Sequence, residues 1–190
     1  VAAAGDDLFA AGDEGVWRLR GGIWQSLNRQ MVSDAATVNS RLAVSPAYEQ
    51  DHTLFTVNAL ANAMGATLYR SQDGGDTWTT SLAGLEYTNQ IVLSPDFAQD
   101  RRAYLVAVYQ IWESQDGGDT WAKEPYWDAA HQVSMLAASP TLAQDHVLVA
   151  VGNGIYRSSD GGSSWQVVSG PPVLVPNGAQ GWSATSLVWG

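Results

Sequence analysis

Along the chain, short apolar stretches rich in β-branched and aromatic side chains alternate with clusters of Gly, Pro, Asp and Ser, and no segment sustains helical spacing. Leu54 to Val57, Tyr104 to Val108 and Val147 to Val151 have the length and composition of strands. The pattern repeats. SQDGGDTW occurs at Ser71 to Trp78 and again at Ser114 to Trp121, and a relaxed copy, SSDGGSSW, runs from Ser158 to Trp165. The octets begin 43 and then 44 residues apart.

A second landmark keeps step with the first: AVSPAYEQDHTLFTV from Ala43, VLSPDFAQDRRAYLVAV from Val92 and AASPTLAQDHVLVAV from Ala137. An eroded earlier copy is visible because LFAAGDEGVWRLRGGIW, from Leu8 to Trp24, aligns with LVAVGNGIYRSSDGGSSW, from Leu148 to Trp165, once the turn is shortened. Each repeat reads as strands A to D. Strand A ends at Ser-Pro, where a residue without an N–H closes a ladder. Strand B is the apolar stretch after Gln-Asp, C ends just before the octet turn, and D begins at its Trp.

Repeats of this length match one four-stranded blade, so the predicted fold is all-β: a β-propeller of about four blades, each a four-stranded antiparallel meander. One domain is expected over residues 1–190, with repeats at roughly 1–40, 41–88, 89–132 and 133–181. Residues 182–190 are expected to form a strand that completes the first blade or is exchanged with another chain, since an open sheet edge invites pairing.

The octets follow Ser-x-Asp-x-Gly-x-Thr-Trp, and on these residues the chain resembles the Asp-box (BNR) repeat propellers, which include sialidases, β-glucan-cleaving glycosidases, sortilin-type receptors and photosystem assembly factors. The resemblance implies a peripheral C-to-D hairpin in each blade with a framework role for its residues. Ser71, Asp73, Gly75, Thr77 and Trp78 would build the first, Ser114, Asp116, Gly118, Thr120 and Trp121 the second, and Ser158, Asp160, Gly162, Ser164 and Trp165 the third. The chemistry agrees. An Asp in a tight turn accepts backbone N–H bonds, and Gly tolerates positive φ. Ser164 stands where the pattern has Thr, and the first repeat has Leu19 to Ile23 in place of the box. Family rings usually hold more than four blades.

Nine Lys and Arg against nineteen Asp and Glu give a net charge of −10, which argues against a nucleic-acid partner. No apolar run has membrane-helix length, so no membrane insertion is expected. With no cysteine there is no disulfide or thiolate site. No cofactor and no metal site are expected: the Asp-Gly-Gly-Asp turns lack calcium-loop spacing, and His52 and His146 have Arg101 as their third counterpart. Asp51, Asp100 and Asp145 are read as capping the A-to-B turns.

The face formed by the B-to-C and D-to-A loops is where a ligand would bind. Its most suggestive segment is Lys123 to His131. Tyr126 and Trp127 offer flat faces there, Asp128 and His131 offer polar contacts, and Tyr87 and Arg29 lie in neighbouring loops of the same face. The competing reading places these aromatics in the core. A glycosidase needs two facing carboxyls; the candidates on that face are Glu14, Asp34, Glu86, Glu124 and Asp128. Arg18, Arg70 and Arg157 occupy equivalent positions beside the boxes, with Glu113 in the fourth, and do not form the arginine cluster a sialidase needs. No nucleophile, phosphate or dinucleotide motif appears. The expected function is therefore a non-catalytic binding or scaffolding module that recognises a protein or glycan through loop aromatics, extracellular or at the cell surface. The alternatives are part of an Asp-box glycoside hydrolase and a subunit of an extracellular assembly that self-associates through terminal strands.

Overall fold

The computed structural model describes residues 2–12, 15–27, 37–60, 65–85, 88–107, 109–128 and 130–168. The strand proposed at 182–190 lies outside them. The described residues form four antiparallel sheets of four strands, each ordered as the strands follow in sequence. The first holds β1 (Ala2–Ala4), β2 (Asp7–Gly12), β3 (Gly15–Arg20) and β4 (Ile23–Ser26), and the second β5 (Thr37–Val44), β6 (Leu54–Leu60), β7 (Ala66–Ser71) and β8 (Thr79–Leu85). The third holds β9 (Thr88–Leu93), β10 (Ala103–Ala107), β11 (Gln110–Ser114) and β12 (Ala122–Lys123), and the fourth β13 (Val133–Ala138), β14 (Leu148–Gly152), β15 (Ile155–Ser158) and β16 (Gln166–Val167).

After each Ser-Pro the chain makes one helical turn: α1 (Tyr48–Asp51), α2 (Phe97–Asp100) and α3 (Leu142–Asp145). Each ends on a left-handed residue, His52, Arg101 or His146, with φ of 51°, 55° and 54°. Such a conformation is unfavourable for a bulky side chain and needs local support. Asp51 supplies it. Its Oδ1 accepts the Thr53 N–H at 2.9 Å and its Oδ2 the Ser45 hydroxyl at 2.6 Å. Asp100 and Asp145 repeat the arrangement with Ser94 and Arg102, and with Ser139 and Val147.

The octet hairpins are built alike. The Ser71 hydroxyl donates to Asp73 Oδ1 at 2.8 Å and accepts the Gly75 N–H at 2.8 Å. Asp73 then accepts the N–H and the hydroxyl of Thr77, at 2.8 and 2.5 Å. The same bonds recur about Asp116 and Asp160, where donors converge from Thr120 and Ser114, and from Ser164 and Ser158. They hold both carboxyls at about 2, well below the ordinary value, despite the opposing effect of desolvation. The first sheet has a plain two-residue turn instead, Gly21-Gly22, with φ of 57° and 80°, values that glycine adopts without a steric penalty.

Among the described residues, three apolar clusters fill the spaces between consecutive sheets. Phe9 of the first sheet meets Tyr48, Leu54 and Trp78 of the second. Phe55 and Leu68 of the second meet Phe97, Ala103 and Leu105 of the third. Tyr104 and Ile111 of the third meet Leu136, Leu148 and Tyr156 of the fourth. Strand alternation explains this, because each middle sheet buries one set of side chains against its predecessor and the other against its successor.

Candidate functional site

The connection from β12 to β13 leaves the third sheet and crosses to the fourth. Trp127 is only 3% exposed and wedges edge-on between Trp165, with centroids 5.0 Å apart, and Tyr156, at 5.1 Å. Its place in the core corrects the expectation that it presents a free face. Burial of an aromatic this size anchors the loop.

Tyr126 lies edge-on to Trp127 at 5.2 Å and tilts against the His131 ring at 4.7 Å. Asp128 shapes the turn between them. Its Oδ1 accepts the N–H groups of Ala130 and His131, both at 2.8 Å, and lies 3.1 Å from His131 Nδ1. Those bonds, led by the His131 and Ala130 N–H groups, hold the Asp128 carboxyl below its usual range. Asn153, in the β14–β15 turn, ties the loop down. Its amide donates to the Ala130 carbonyl at 2.7 Å, while its Oδ1 accepts the Tyr156 hydroxyl at 2.7 Å and the Gln132 N–H at 3.2 Å.

The structure thus brings together Tyr126, Asp128 and His131, and adds Asn153, to which the sequence analysis gave no role. An Asn beside glycines reads as a turn residue; its two long-range bonds, to Ala130 and Gln132, depend on which loop the fold sets opposite. Tyr87 and Arg29 lie outside the described residues. The result is a surface on which Tyr126 is half-buried, His131 keeps 42% of its side-chain exposure and Asp128 61%. Flat ring edges flanked by a carboxylate and an imidazole can pack on the apolar face of a sugar ring and bond its hydroxyls.

Glu124 is not on that surface. It is buried, with its side chain beside Gly162 of the third octet and hydrogen-bonded to Glu113. Burial first, then the charge and hydrogen bond of Glu113 and the charge of Asp160, push its carboxyl up to about 7. A carboxyl hydrogen-bonded directly to its neighbour leaves no room for the sugar that glycosidase carboxyls, about 5 Å or more apart, must flank. Of the other carboxyl candidates, Glu14, Asp34 and Glu86 lie outside the described residues.

A cavity of about 440 Å³ lies on the opposite side, between β1 and the Val44–Gln50 segment; Tyr48 and Glu49 are its ionisable lining residues. Among the described residues no group of three His, Asp or Glu could hold a metal ion, and no helix is long and apolar enough to cross a membrane.

Comparison of the coordinates with solved structures finds a GH74 xyloglucanase from Xanthomonas campestris, with a TM-score of 0.69, 19% identity, and coverage of 88% of this chain and 29% of that one. The calcium-binding protein regucalcin from Agrobacterium tumefaciens matches with a TM-score of 0.61 and 15% identity over 87% of this chain and 56% of its own. The fold is a β-propeller. YCF48 from Cyanidioschyzon merolae is similar as well, with a TM-score of 0.55, 14% identity, and coverage of 88% and 57%. The chain therefore spans less than a third of the xyloglucanase and a little over half of the other two. No protein-family model and no curated protein matches. Identities this low show shared architecture only. Each four-stranded sheet is one blade.

Proposed function

We propose that this propeller is a non-catalytic binding module of the Asp-box type that recognises a glycan through the Tyr126–His131 loop. One observation carries the reading: the Tyr126 and His131 rings are held 4.7 Å apart by Asp128 and by a buried Trp127 anchor, so the surface is formed before any ligand arrives. A preformed aromatic surface binds without the entropic cost of ordering a loop. The octet hydrogen bonds support the Asp-box assignment, since they account for the recurring Ser, Asp, Gly and Thr of the motif by a bond each makes.

The GH74 xyloglucanase among the structural neighbours suggests a xyloglucan oligosaccharide as the first probe. Titration calorimetry with a xyloglucan oligosaccharide should give saturable binding that Tyr126→Ala weakens roughly tenfold, the size of a lost stacking contact of about 1.4 kcal/mol. A glycan screen with no saturable binder, or binding unchanged in Tyr126→Ala, would refute the reading. The hydrolase alternative is separated in the same samples: release of reducing ends from the oligosaccharide would establish it.

A further inference from the structure

The register makes the four blades comparable position by position. Leu8 pairs with Leu19, Leu54 with Ser71, Ala103 with Ser114 and Leu148 with Ser158, so Leu8, Leu54, Ala103 and Leu148 are equivalent. All four belong to the face each blade turns toward its predecessor. Leu54, Ala103 and Leu148 are fully buried there, whereas Leu8, in the first blade, is 39% exposed. Leu19 and Trp24, paired with each other across β3 and β4, lie beside Leu8 on that face, as does Trp17 at the position of Tyr69, Trp112 and Tyr156.

The other end shows the complementary half. Phe9, Phe55 and Tyr104 are fully buried against the following blade, and their fourth-blade counterpart, Val149, is half-exposed, with Met135, Val151 and Ile155 beside it. Next to these positions runs a repeated polar contact. Arg18 donates to the Gly74 carbonyl of the second blade at 3.2 Å, with Asp76 at 3.9 Å, and Arg70 donates to the Gly117 carbonyl of the third blade and pairs with Asp119. Arg157 is the fourth-blade member of this series and is exposed. Among the described residues no apolar cluster joins the fourth blade to the first.

Among the described residues, both halves of the blade–blade interface are therefore left without a partner blade, one on the first sheet and the other on the fourth. We propose that these faces pack head to tail against a second copy of the chain, the Val149 face of one on the Leu8 face of the other. The contact continues the register of the three buried interfaces. The hairpin turn of the first blade that corresponds to the partners of Arg18 is Gly21-Gly22, whose carbonyls stand where Arg157 would donate, and the one cation beside it, Arg20, is already paired with Asp7. Such an interface is heterologous, so each copy uses one face on each side.

Light scattering on the size-fractionated protein at micromolar concentration should give a mass at least twice 20.3 kDa. Val149→Asp and Leu8→Asp should each reduce it to one copy, with thermal melts confirming that both variants stay folded. Mixing the two should restore a one-to-one dimer, because each retains the face the other has lost. A wild-type mass of 20.3 kDa overturns the proposal and leaves these faces for blades from another chain segment or partner. A wild-type dimer whose two variants fail to combine also overturns it, since the contact would then join like faces.

Discussion

The Glu113–Glu124 pair makes the stability of this propeller depend on pH in a window where most proteins change little. Both carboxyls sit between the third and fourth blades, Glu113 at the position where other blades carry the interblade arginine. Glu124, ordinarily near 4.5, is pushed up to about 7 by burial and then by Glu113. The folded state holds a proton there that the unfolded chain releases, so the stabilisation is complete below about 4.5 and is lost as pH rises through about 7. At full coupling the gap is worth about 3 kcal/mol. For a domain of this size that is roughly 6–12 °C in melting temperature.

Thermal melts at intervals between pH 5 and pH 8 should show the wild type falling by an amount approaching that range. In Glu124→Gln the amide keeps the shape without titrating, and the curve should be nearly flat. Subtracting the two removes every other titrating group, including Asp116 and Asp160, whose pKa values near 2 are spent well below this window. Glu113→Gln should move the midpoint below 7 without abolishing it, because burial is the larger cause. Equal slopes in wild type and Glu124→Gln would refute the reasoning.

Two further outcomes follow from the hairpins and the site loop. Asp116→Ala removes the acceptor for Ser114, Asp119 and Thr120 and should cost about 1–3 kcal/mol in urea unfolding; the wild type should lose this contribution only as pH falls from about 4 toward 2, the direction of a depressed carboxyl. Gly152→Ala would place a methyl carbon 1.7 Å from the Gln132 carbonyl oxygen, and the forced backbone shift should cost about 1–3 kcal/mol and weaken glycan binding by loosening the Asn153 ties, whereas Gly22→Ala, with open space around it, should cost only the strain of its positive φ.

The repeat period, the strand assignments and the octet turns were legible in the sequence because they rest on interactions within a few residues. Ser71, Asp73, Gly75 and Thr77 bond one another, and Asp51 bonds Ser45 and Thr53, so spacing alone implies the geometry. The loop aromatics were legible as a group but not one by one. Whether Trp127 or Tyr126 faces solvent depends on Tyr156 and Trp165, about thirty to forty residues away, and only blade packing sets them beside the loop. Glu124 shows the same limit: in sequence it is a loop carboxylate, and its burial against Glu113 follows from how the third blade meets the fourth. The arginine series was visible as a recurrence at Arg18, Arg70 and Arg157, but its partners lie on the next blade, 56 residues on for Arg18 and 47 for Arg70. Local bonding thus specified what each blade is. Which faces are covered, and which carboxyl keeps its proton, was decided by contacts between blades, which no local pattern encodes.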